Sequence, residues 1–394
     1  MKIAYIASSE FGCPQPPHQI QAALWIAAQV IEGMTKRGHQ TYYVGAGHST
    51  VSATKIFSMG KAFFDLYVYE DWIKLSSQEK DTTLTNYQMK LHLYLIETLK
   101  HLEVDLIHYH TSPPVFMLPF SQYIDKPKVQ TIHDPMKPSY KALYDSYRDV
   151  SSNHFVSISN AQRRFIPDLP YVATVYNGIS VEDYGHGDSP QNQLLFLGRI
   201  KKIKGIKDAL LSAQSASVPL VVAGRSAQTE REFMETEIEP LMNKGRIKRF
   251  GVIGHGDKVS LLQSSKALLF PIHWEEPFGL VMIEAMACGT PVIAYNRGSV
   301  SEVVRDGMTG FIIDPVEKNP TNPTNTTNPR NEGHWIIKKR GVEGLVEAIK
   351  RIGEIDRAAC RRHVEENFTV EKMVSGYEVV YKKVLAKVSG VSAS

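Results

Sequence analysis

The feature that most constrains the fold is an alternation of short apolar runs with longer amphipathic stretches, which starts twice along the chain. The first series predicts strands at 3–7, 41–44, 105–109, 128–132 and 154–157, with helices at 20–36 and 85–101. The second series predicts strands at 194–197, 219–223, 247–250, 267–270 and 291–294, with helices beginning near 206 and 228. Strands that alternate with helices are typical of parallel sheets with helices on their faces.

This repetition predicts an α/β protein with two Rossmann-like, doubly wound domains that face a cleft. The 394 residues suit two domains of somewhat under 200 residues each. Residues 179–193 are rich in Gly, Asp, Ser and Asn and are expected to form a linker. We therefore expect domains at 1–180 and 181–368, followed by a last helical segment at 369–394. In such sheets, ligands lie beyond the carboxyl ends of the strands.

A low-complexity stretch interrupts the second series. Residues 318–333 read KNPTNPTNTTNPRNEG. A segment with so few apolar side chains cannot contribute to a core, and we expect a surface loop without chemistry.

Charge and cysteine content exclude several classes of protein. A net charge of +4 is too small for a nucleic-acid-binding surface, although it permits contact with phosphates or an anionic membrane face. Three widely separated cysteines, Cys13, Cys288 and Cys360, argue against a disulfide framework or a zinc site and fit a reducing compartment. The short apolar start is too short for a signal peptide, and no run is long enough to span a membrane. We expect a cytoplasmic protein, with peripheral membrane contact allowed and the oligomeric state open.

The most informative motif covers residues 274–289, WEEPFGLVMIEAMACG. A predicted strand leads into a loop, and Gly279 is expected to begin a helix whose free N–H groups and dipole favour an anion such as a diphosphate. Glu276 precedes that helix and Glu284 lies about one turn inside it. Each carboxylate could accept hydrogen bonds from two sugar hydroxyls. Both glutamates could equally be solvated surface acids.

Two further segments place reactive side chains at predicted strand ends. Arg199 and Lys204 follow the strand at 194–197, beside glycines, and could hold a phosphate. His133 follows the strand at 128–132 and is expected to face the cleft. The alternatives are a basic surface turn for the first segment and a loop-fixing histidine for the second.

These segments together resemble retaining glycosyltransferase family 4, whose fold is GT-B. The resemblance rests on Glu276 to Glu284 with its E-x7-E spacing, the continuation to Ala294, residues 298–310 (GSVSEVVRDGMTG), and the G-R-x(4)-K-G element at 198–205. It implies transfer of a hexosyl group from a nucleotide-diphosphate sugar with retention of anomeric configuration. It also implies that the last helix crosses back to the N-terminal domain.

The resemblance assigns roles to individual positions. The implied catalytic residues are His133, Glu276, Arg199 and Lys204. The implied donor-binding residues are Gly12, Arg199, Lys204, Gly224, Ile253, Glu276, Phe278, Gly279, Leu280, Val281 and Glu284. Glu276 would bind the donor sugar and Glu284 the ribose, whereas Arg199 and Lys204 would neutralise the diphosphate.

One departure from the family concerns the first loop. The family has a Gly-Gly pair before the first helix, where this chain has Gln21 and Ala22, so that Gly12 would have to substitute. The chain also contains no D-x-D sequence, the usual ligand of a divalent metal in other sugar transferases. We therefore expect no cofactor, no metal site and a metal-independent reaction with a UDP- or GDP-linked donor.

Two alternatives remain open at this point. His108 and His110 form an H-x-H on a predicted strand, which puts both rings on one face, and with His133 they suggest a metal-dependent hydrolase. The same scaffold could also be a non-catalytic sugar-nucleotide-binding protein. The acceptor, which could be a glycan, a lipid-linked molecule or a small molecule, is not readable from the sequence.

Overall fold

The structure is a computed structural model. It describes residues 1–15, 21–67, 69–72, 74–147, 150, 152–226, 228–244, 246–316 and 334–388. The chain divides into two compact units, residues 1–178 with 370–394 and residues 179–369. The segment 318–333, predicted to be a surface loop, lies outside the described residues.

The first unit is built on a seven-stranded parallel sheet with the order β3-β2-β1-β4-β5-β6-β7. Its strands are β1 Lys2–Ile6, β2 Gln40–Gly45, β3 Lys55–Ser58, β4 Leu106–Tyr109, β5 Lys128–Ile132, β6 Asn153–Ser157 and β7 Tyr171–Thr174. Its helices up to this point are α1 Ala22–Lys36, α2 Phe63–Leu66, α3 Tyr69–Trp72, α4 Ser77–Leu99, α5 Leu118–Ser121 and α6 Tyr140–Ser146, with 3₁₀ turns at Pro114–Met117 and Ala161–Phe165. Strands β4, β5 and β6 are buried along their whole length, as expected for a sheet covered on both faces.

The second unit is built on a six-stranded parallel sheet with the order β10-β9-β8-β11-β12-β13. Its strands are β8 Leu194–Leu197, β9 Leu220–Ala223, β10 Ile247–Phe250, β11 Ala267–Phe270, β12 Val292–Tyr295 and β13 Gly310–Ile313. Its helices are α7 Ile206–Ser215, α8 Arg231–Phe233, α9 Glu239–Met242, α10 His255–Ser264, α11 Leu280–Ala287, α12 Val300–Val303, α13 Gly341–Arg351 and α14 Arg357–Asn367. Short 3₁₀ turns lie at Val181–Asp183, Lys202–Lys204, Gln228–Glu230 and Ile352–Glu354, and a π-helix lies at Met234–Ile238.

The last helix, α15 Val370–Val388, belongs to the first unit although it follows the second unit in sequence. It packs on α1, where a side chain at Gly33 would collide with Val374. Its buried tyrosines, Tyr377 and Tyr381, reach the side chains of β4 and β5. None of the described helices is both long and apolar enough to cross a membrane.

Three local predictions from the sequence were wrong. Helix α4 begins at Ser77, eight residues before the expected start, because Ser76 caps it and forms a capping box with Glu79. The expected linker at 179–193 packs onto the second unit, where Val181 and Tyr184 are buried. The charged helix expected at 228–239 is a series of 3₁₀, α and π turns.

Candidate functional site

The first group of predicted site residues surrounds the start of α11 in the second unit. Gly279 has a left-handed conformation with φ of 80° and directly precedes the helix. Glycine adopts this conformation without the steric penalty of a side chain. The first N–H groups of the helix, at Leu280 and Val281, are consequently at a helix terminus, which favours a bound anion.

Lys204 and Glu276 contact each other beside this helix start. The Lys204 ammonium donates to Glu276 Oε2 at 2.6 Å, and it also lies 4.3 Å from the centre of the Trp274 ring. The two charged side chains are only 17% and 14% exposed. The structure thus brings together two residues that are 72 positions apart in sequence, one from each predicted motif.

Two loops hold this pair in place. Gly205 follows Lys204 with φ of 73°, and a side chain there would lie 1.7 Å from the Pro271 carbonyl oxygen, so only glycine permits this close approach. The His273 N–H donates to the Ile203 carbonyl oxygen at 2.8 Å, which connects the two loops directly. The position of Lys204 relative to Glu276 is therefore set by backbone contacts.

Glu284 has partners that the sequence did not reveal. Its Oε1 accepts hydrogen bonds from the Lys258 ammonium of α10 at 2.6 Å and from the Tyr184 hydroxyl at 3.0 Å. Burial, followed by the charge of Glu284, raises the pKa of Tyr184 far above its usual value, so that Tyr184 remains a donor. Glu284 is 13% exposed and is not the solvated surface acid of the alternative interpretation.

The other predicted donor-binding residues of the second unit occupy loop positions. Arg199 follows β8 with an exposed side chain, and Gly224 follows β9. Ile253 is half-buried between β10 and α10. Phe278 is buried at 2% exposure against Phe368, so any contact it makes with a ligand would use its backbone.

The first unit gathers the three histidines at the carboxyl ends of β4 and β5. His110 Nδ1 lies 2.9 Å from His133 Nε2, and His110 Nε2 lies 3.2 Å from His108 Nδ1. Burial lowers the pKa of His133 to about 3 and holds the pKa values of His108 and His110 well below the usual range. The three rings are therefore neutral at pH 7.

This geometry does not fit the metal-dependent hydrolase considered above. The facing ring nitrogens are joined to one another by hydrogen bonds, and His108 Nε2 is bonded to Thr131 Oγ1 at 2.8 Å. In the part of the chain that the structure describes, no group of three or more His, Cys, Asp or Glu side chains is arranged to hold a metal ion.

Two acidic residues lie at the same end of the first sheet. Asp134 accepts a hydrogen bond from the Ser112 hydroxyl at 2.6 Å, and burial raises its pKa. Burial and then the charge of Asp134 raise the pKa of Glu10, which was not singled out from the sequence. Gly12, the proposed substitute for the family's glycine pair, packs against the His48 backbone, where a side chain would lie 2.6 Å from the carbonyl oxygen.

The site residues that the sequence did not reveal all lie outside the recognised motifs; they are Lys258, Tyr184 and Glu10. Two of them, Lys258 and Tyr184, contact Glu284 across 26 and 100 positions of sequence. The sequence offered one indication of such a partner, the lysine Lys258 in the first turn of α10. The sequence analysis did not predict this helix.

Comparisons with known proteins identify related sequences and structures. The family model described as "Glycosyltransferase Family 4" matches residues 26–183, and the model described as "Glycosyl transferases group 1" matches residues 186–321. The chain is 23% identical to N-acetyl-alpha-D-glucosaminyl L-malate synthase of Bacillus anthracis over 91% of this chain and 93% of that one. It is 22% identical to the O-antigen chain mannosyltransferase C of Escherichia coli over 72% of this chain and 73% of that one.

Solved structures share the fold. A sucrose-phosphate synthase from Thermosynechococcus elongatus matches with a TM-score of 0.69 and 16% identity, covering 98% of this chain and 99% of that one. The Anabaena protein HepE, solved with UDP and glucose, matches with a TM-score of 0.63 and 15% identity, covering 97% and 100%. The two parallel sheets and these neighbours define a two-domain α/β protein of the GT-B fold. The two family models match the two units in turn, and together with these neighbours they support a glycosyltransferase of the family 4 type.

Proposed function

We propose that the protein is a retaining hexosyltransferase that uses a UDP- or GDP-linked sugar and needs no metal ion. The observation that carries this proposal is the 2.6 Å contact between Lys204 and Glu276 beside the start of α11, with Glu284 one turn inside that helix. A cation and a helix terminus suit a diphosphate, carboxylates suit sugar hydroxyls, and all of these groups lie within one unit.

The cationic groups would act on the leaving diphosphate. Negative charge grows on that group as its bond to the anomeric carbon breaks, so donors fixed in advance lower the barrier. Lys204 and the N–H groups of Leu280 and Val281 would supply this stabilisation, and the exposed Arg199 would approach the same diphosphate. The absence of a D-x-D sequence from the chain supports a reaction that relies on these groups in place of a metal ion.

The two carboxylates would bind the two sugars of the donor. Lys204 uses Oε2 of Glu276, and Lys258 and Tyr184 use Oε1 of Glu284. The second oxygen of each carboxylate would accept hydroxyl hydrogen bonds, from the hexose at Glu276 and from the ribose at Glu284. The hydrogen bonds from Lys204, Lys258 and Tyr184 orient both carboxylates before the donor binds.

Retention of configuration would follow from attack on the same face that the diphosphate leaves, assisted by that phosphate. His133 would contact the donor sugar near the reacting carbon. The acceptor would bind at the first unit, where Glu10 and Asp134 are candidates for contacts with its hydroxyl groups. Three buried free thiols support a cytoplasmic location, and the small positive charge allows contact with a membrane surface.

A panel of UDP-glucose, UDP-galactose, UDP-N-acetylglucosamine and GDP-mannose tests the proposal. Each donor is measured for thermal stabilisation and hydrolysis, once with EDTA and once with Mg²⁺, and the anomer of the released sugar is followed by NMR. We expect one donor to stabilise the protein and to be hydrolysed in EDTA with release of the α anomer, since the sugar is α-linked in all four donors. Stabilisation without turnover would instead indicate a binding protein, and turnover only with Mg²⁺ would refute the metal-independent mechanism.

A further inference from the structure

The three histidines of the first unit belong to a longer buried hydrogen-bond chain that ends on the last helix. His108 Nδ1 lies 2.7 Å from the Tyr381 hydroxyl, and His108 Nε2 lies 2.8 Å from Thr131 Oγ1. Thr131 in turn donates to the Tyr377 hydroxyl at 2.9 Å. Both tyrosines are fully buried, so water does not compete for these bonds.

The direction of one hydrogen bond determines the protonation of His108. A hydroxyl has a single hydrogen, and Thr131 donates it to Tyr377. Thr131 Oγ1 must therefore accept from His108, which places the His108 proton on Nε2. Because the buried ring is neutral, its Nδ1 carries no proton and is an acceptor.

The same reasoning continues along the chain to His133. Two unprotonated nitrogens at 3.2 Å would repel each other, so His110 Nε2 carries the proton that faces His108 Nδ1. Neutral His110 then accepts at Nδ1, and the contact of 2.9 Å requires a proton on His133 Nε2. The Nδ1 atom of His133 is consequently left as an acceptor.

We propose that Thr131, His108 and His110, together with Tyr377 of α15, are positioning residues that hold His133 as the Nε2–H tautomer. His133 then offers Nδ1 to a hydroxyl of the substrate, which an imidazolium or the other tautomer could not do. The contact with substrate rests on the proposed function, whereas the tautomer itself does not.

The change Thr131→Val tests this chain with little change in shape. It removes the acceptor for His108 Nε2–H, so His108 is more stable with its proton on Nδ1, where Tyr381 and His110 can accept it. His110 then donates from Nδ1 to His133 Nε2, and the His133 proton moves to Nδ1. Every tautomer in the chain is reversed by one hydroxyl that does not touch His133.

The measurement is ¹⁵N NMR of histidine-labelled full-length protein, with His133 assigned by comparison with His133→Gln. We expect a protonated Nε2 and an unprotonated Nδ1 in the wild type, the reverse pattern in Thr131→Val, and the wild-type pattern in Thr131→Ser. Thr41→Val is the matched control, since Thr41 is a buried threonine of the same sheet whose hydroxyl is bonded to Thr35 at 2.6 Å. Its spectrum should keep the wild-type tautomers.

Activity gives the second readout. Thr131→Val should lower kcat for donor hydrolysis on the order of tenfold, the effect of losing one hydrogen bond to the substrate, and Thr131→Ser should restore it. An unchanged His133 tautomer in folded Thr131→Val overturns the proposal. A reversed tautomer with unchanged kcat confirms the chain and instead refutes the role of His133 in the proposed function.

Discussion

The two units place their candidate residues at equivalent ends of parallel sheets but use opposite electrostatics. In the second unit, charged side chains pair with each other, Lys204 with Glu276 and Lys258 with Glu284, and stay partly accessible. In the first unit, the strand ends carry neutral buried histidines joined by hydrogen bonds. Under the proposed function, the charged pairs of the second unit would bind the diphosphate, and the neutral histidines of the first unit would bind uncharged sugar hydroxyls.

The largest expected effect comes from breaking the charged side of this comparison. Glu276→Ala removes the proposed contact with the hexose and leaves Lys204 without its carboxylate. Transfer or hydrolysis should fall about 10²–10³-fold, the usual loss when a fixed transition-state contact is removed. Steady-state kinetics with the donor identified by the panel provide the measurement.

Glu235→Ala is the control for that change, because Glu235 is a 53% exposed glutamate of the same unit that pairs with Arg231. Its activity and its melting temperature should match those of the wild type. Near-normal turnover of Glu276→Ala would show that the ion pair is structural.

The buried neutral histidines of the first unit predict that the protein loses stability in acid. Burial lowers the pKa of His92, which stacks on Phe120 and is bonded to the Gln88 carbonyl oxygen, to about 4. Because the folded pKa lies below the unfolded value of 6.5, the unfolded chain binds the proton first as the pH falls. The stability contributed by neutral His92 is complete above about pH 7 and decreases between about pH 6.5 and pH 4.

His92→Phe should therefore reduce the loss of unfolding free energy between pH 7 and pH 5 by about 2 kcal/mol. Urea unfolding at the two pH values, followed by circular dichroism, measures this difference. Phe120→Leu removes the stacked ring without removing a titratable group, so it should lower stability equally at both pH values. A pH dependence in His92→Phe as steep as that of the wild type would contradict the assignment.

A smaller effect tests whether Glu284, like Glu276, contributes to donor binding. Lys258→Met removes the ammonium that holds Oε1, which leaves Tyr184 as the remaining hydrogen-bond partner described above. We expect KM for the donor to rise by up to about tenfold with little change in kcat, because the ribose contact is made equally in ground and transition states. Lys244→Met, an exposed lysine of the same unit, is the control. An unchanged KM would show that Glu284 does not contribute to donor binding.

Sequence reasoning succeeded where local pattern and family motif coincide. The strands at 194–197, 247–250 and 267–270 and the start of the helix at 206 match the structure residue for residue. The resemblance also named Lys204, Glu276 and Glu284 as site residues; the structure brings Lys204 into contact with Glu276, and the roles of all three stay predictions. Spacing alone could not have joined Lys204 to Glu276, since that contact depends on the close approach at Gly205.

The failures have physical causes. Composition suggested a linker at 179–193, yet Tyr184 packs onto the second unit through a contact 100 positions away. Strand β3, only four residues long and not buried, has no apolar alternation strong enough to detect. The histidine chain depends on Tyr377 and Tyr381, which reach it from a helix more than 240 residues later.

Calorimetric binding of UDP and GDP in EDTA shows whether protein cations of the second unit, and not a metal ion, hold the diphosphate. We expect the wild type to bind one of these nucleotides without metal, and Lys204→Met to bind it about tenfold or more weakly, since a charge-assisted phosphate contact is lost. Lys202→Met, an exposed lysine of the same turn, should bind like the wild type. Equal affinity of the wild type and Lys204→Met, or binding of the nucleotide only after Mg²⁺ is added, would contradict the account.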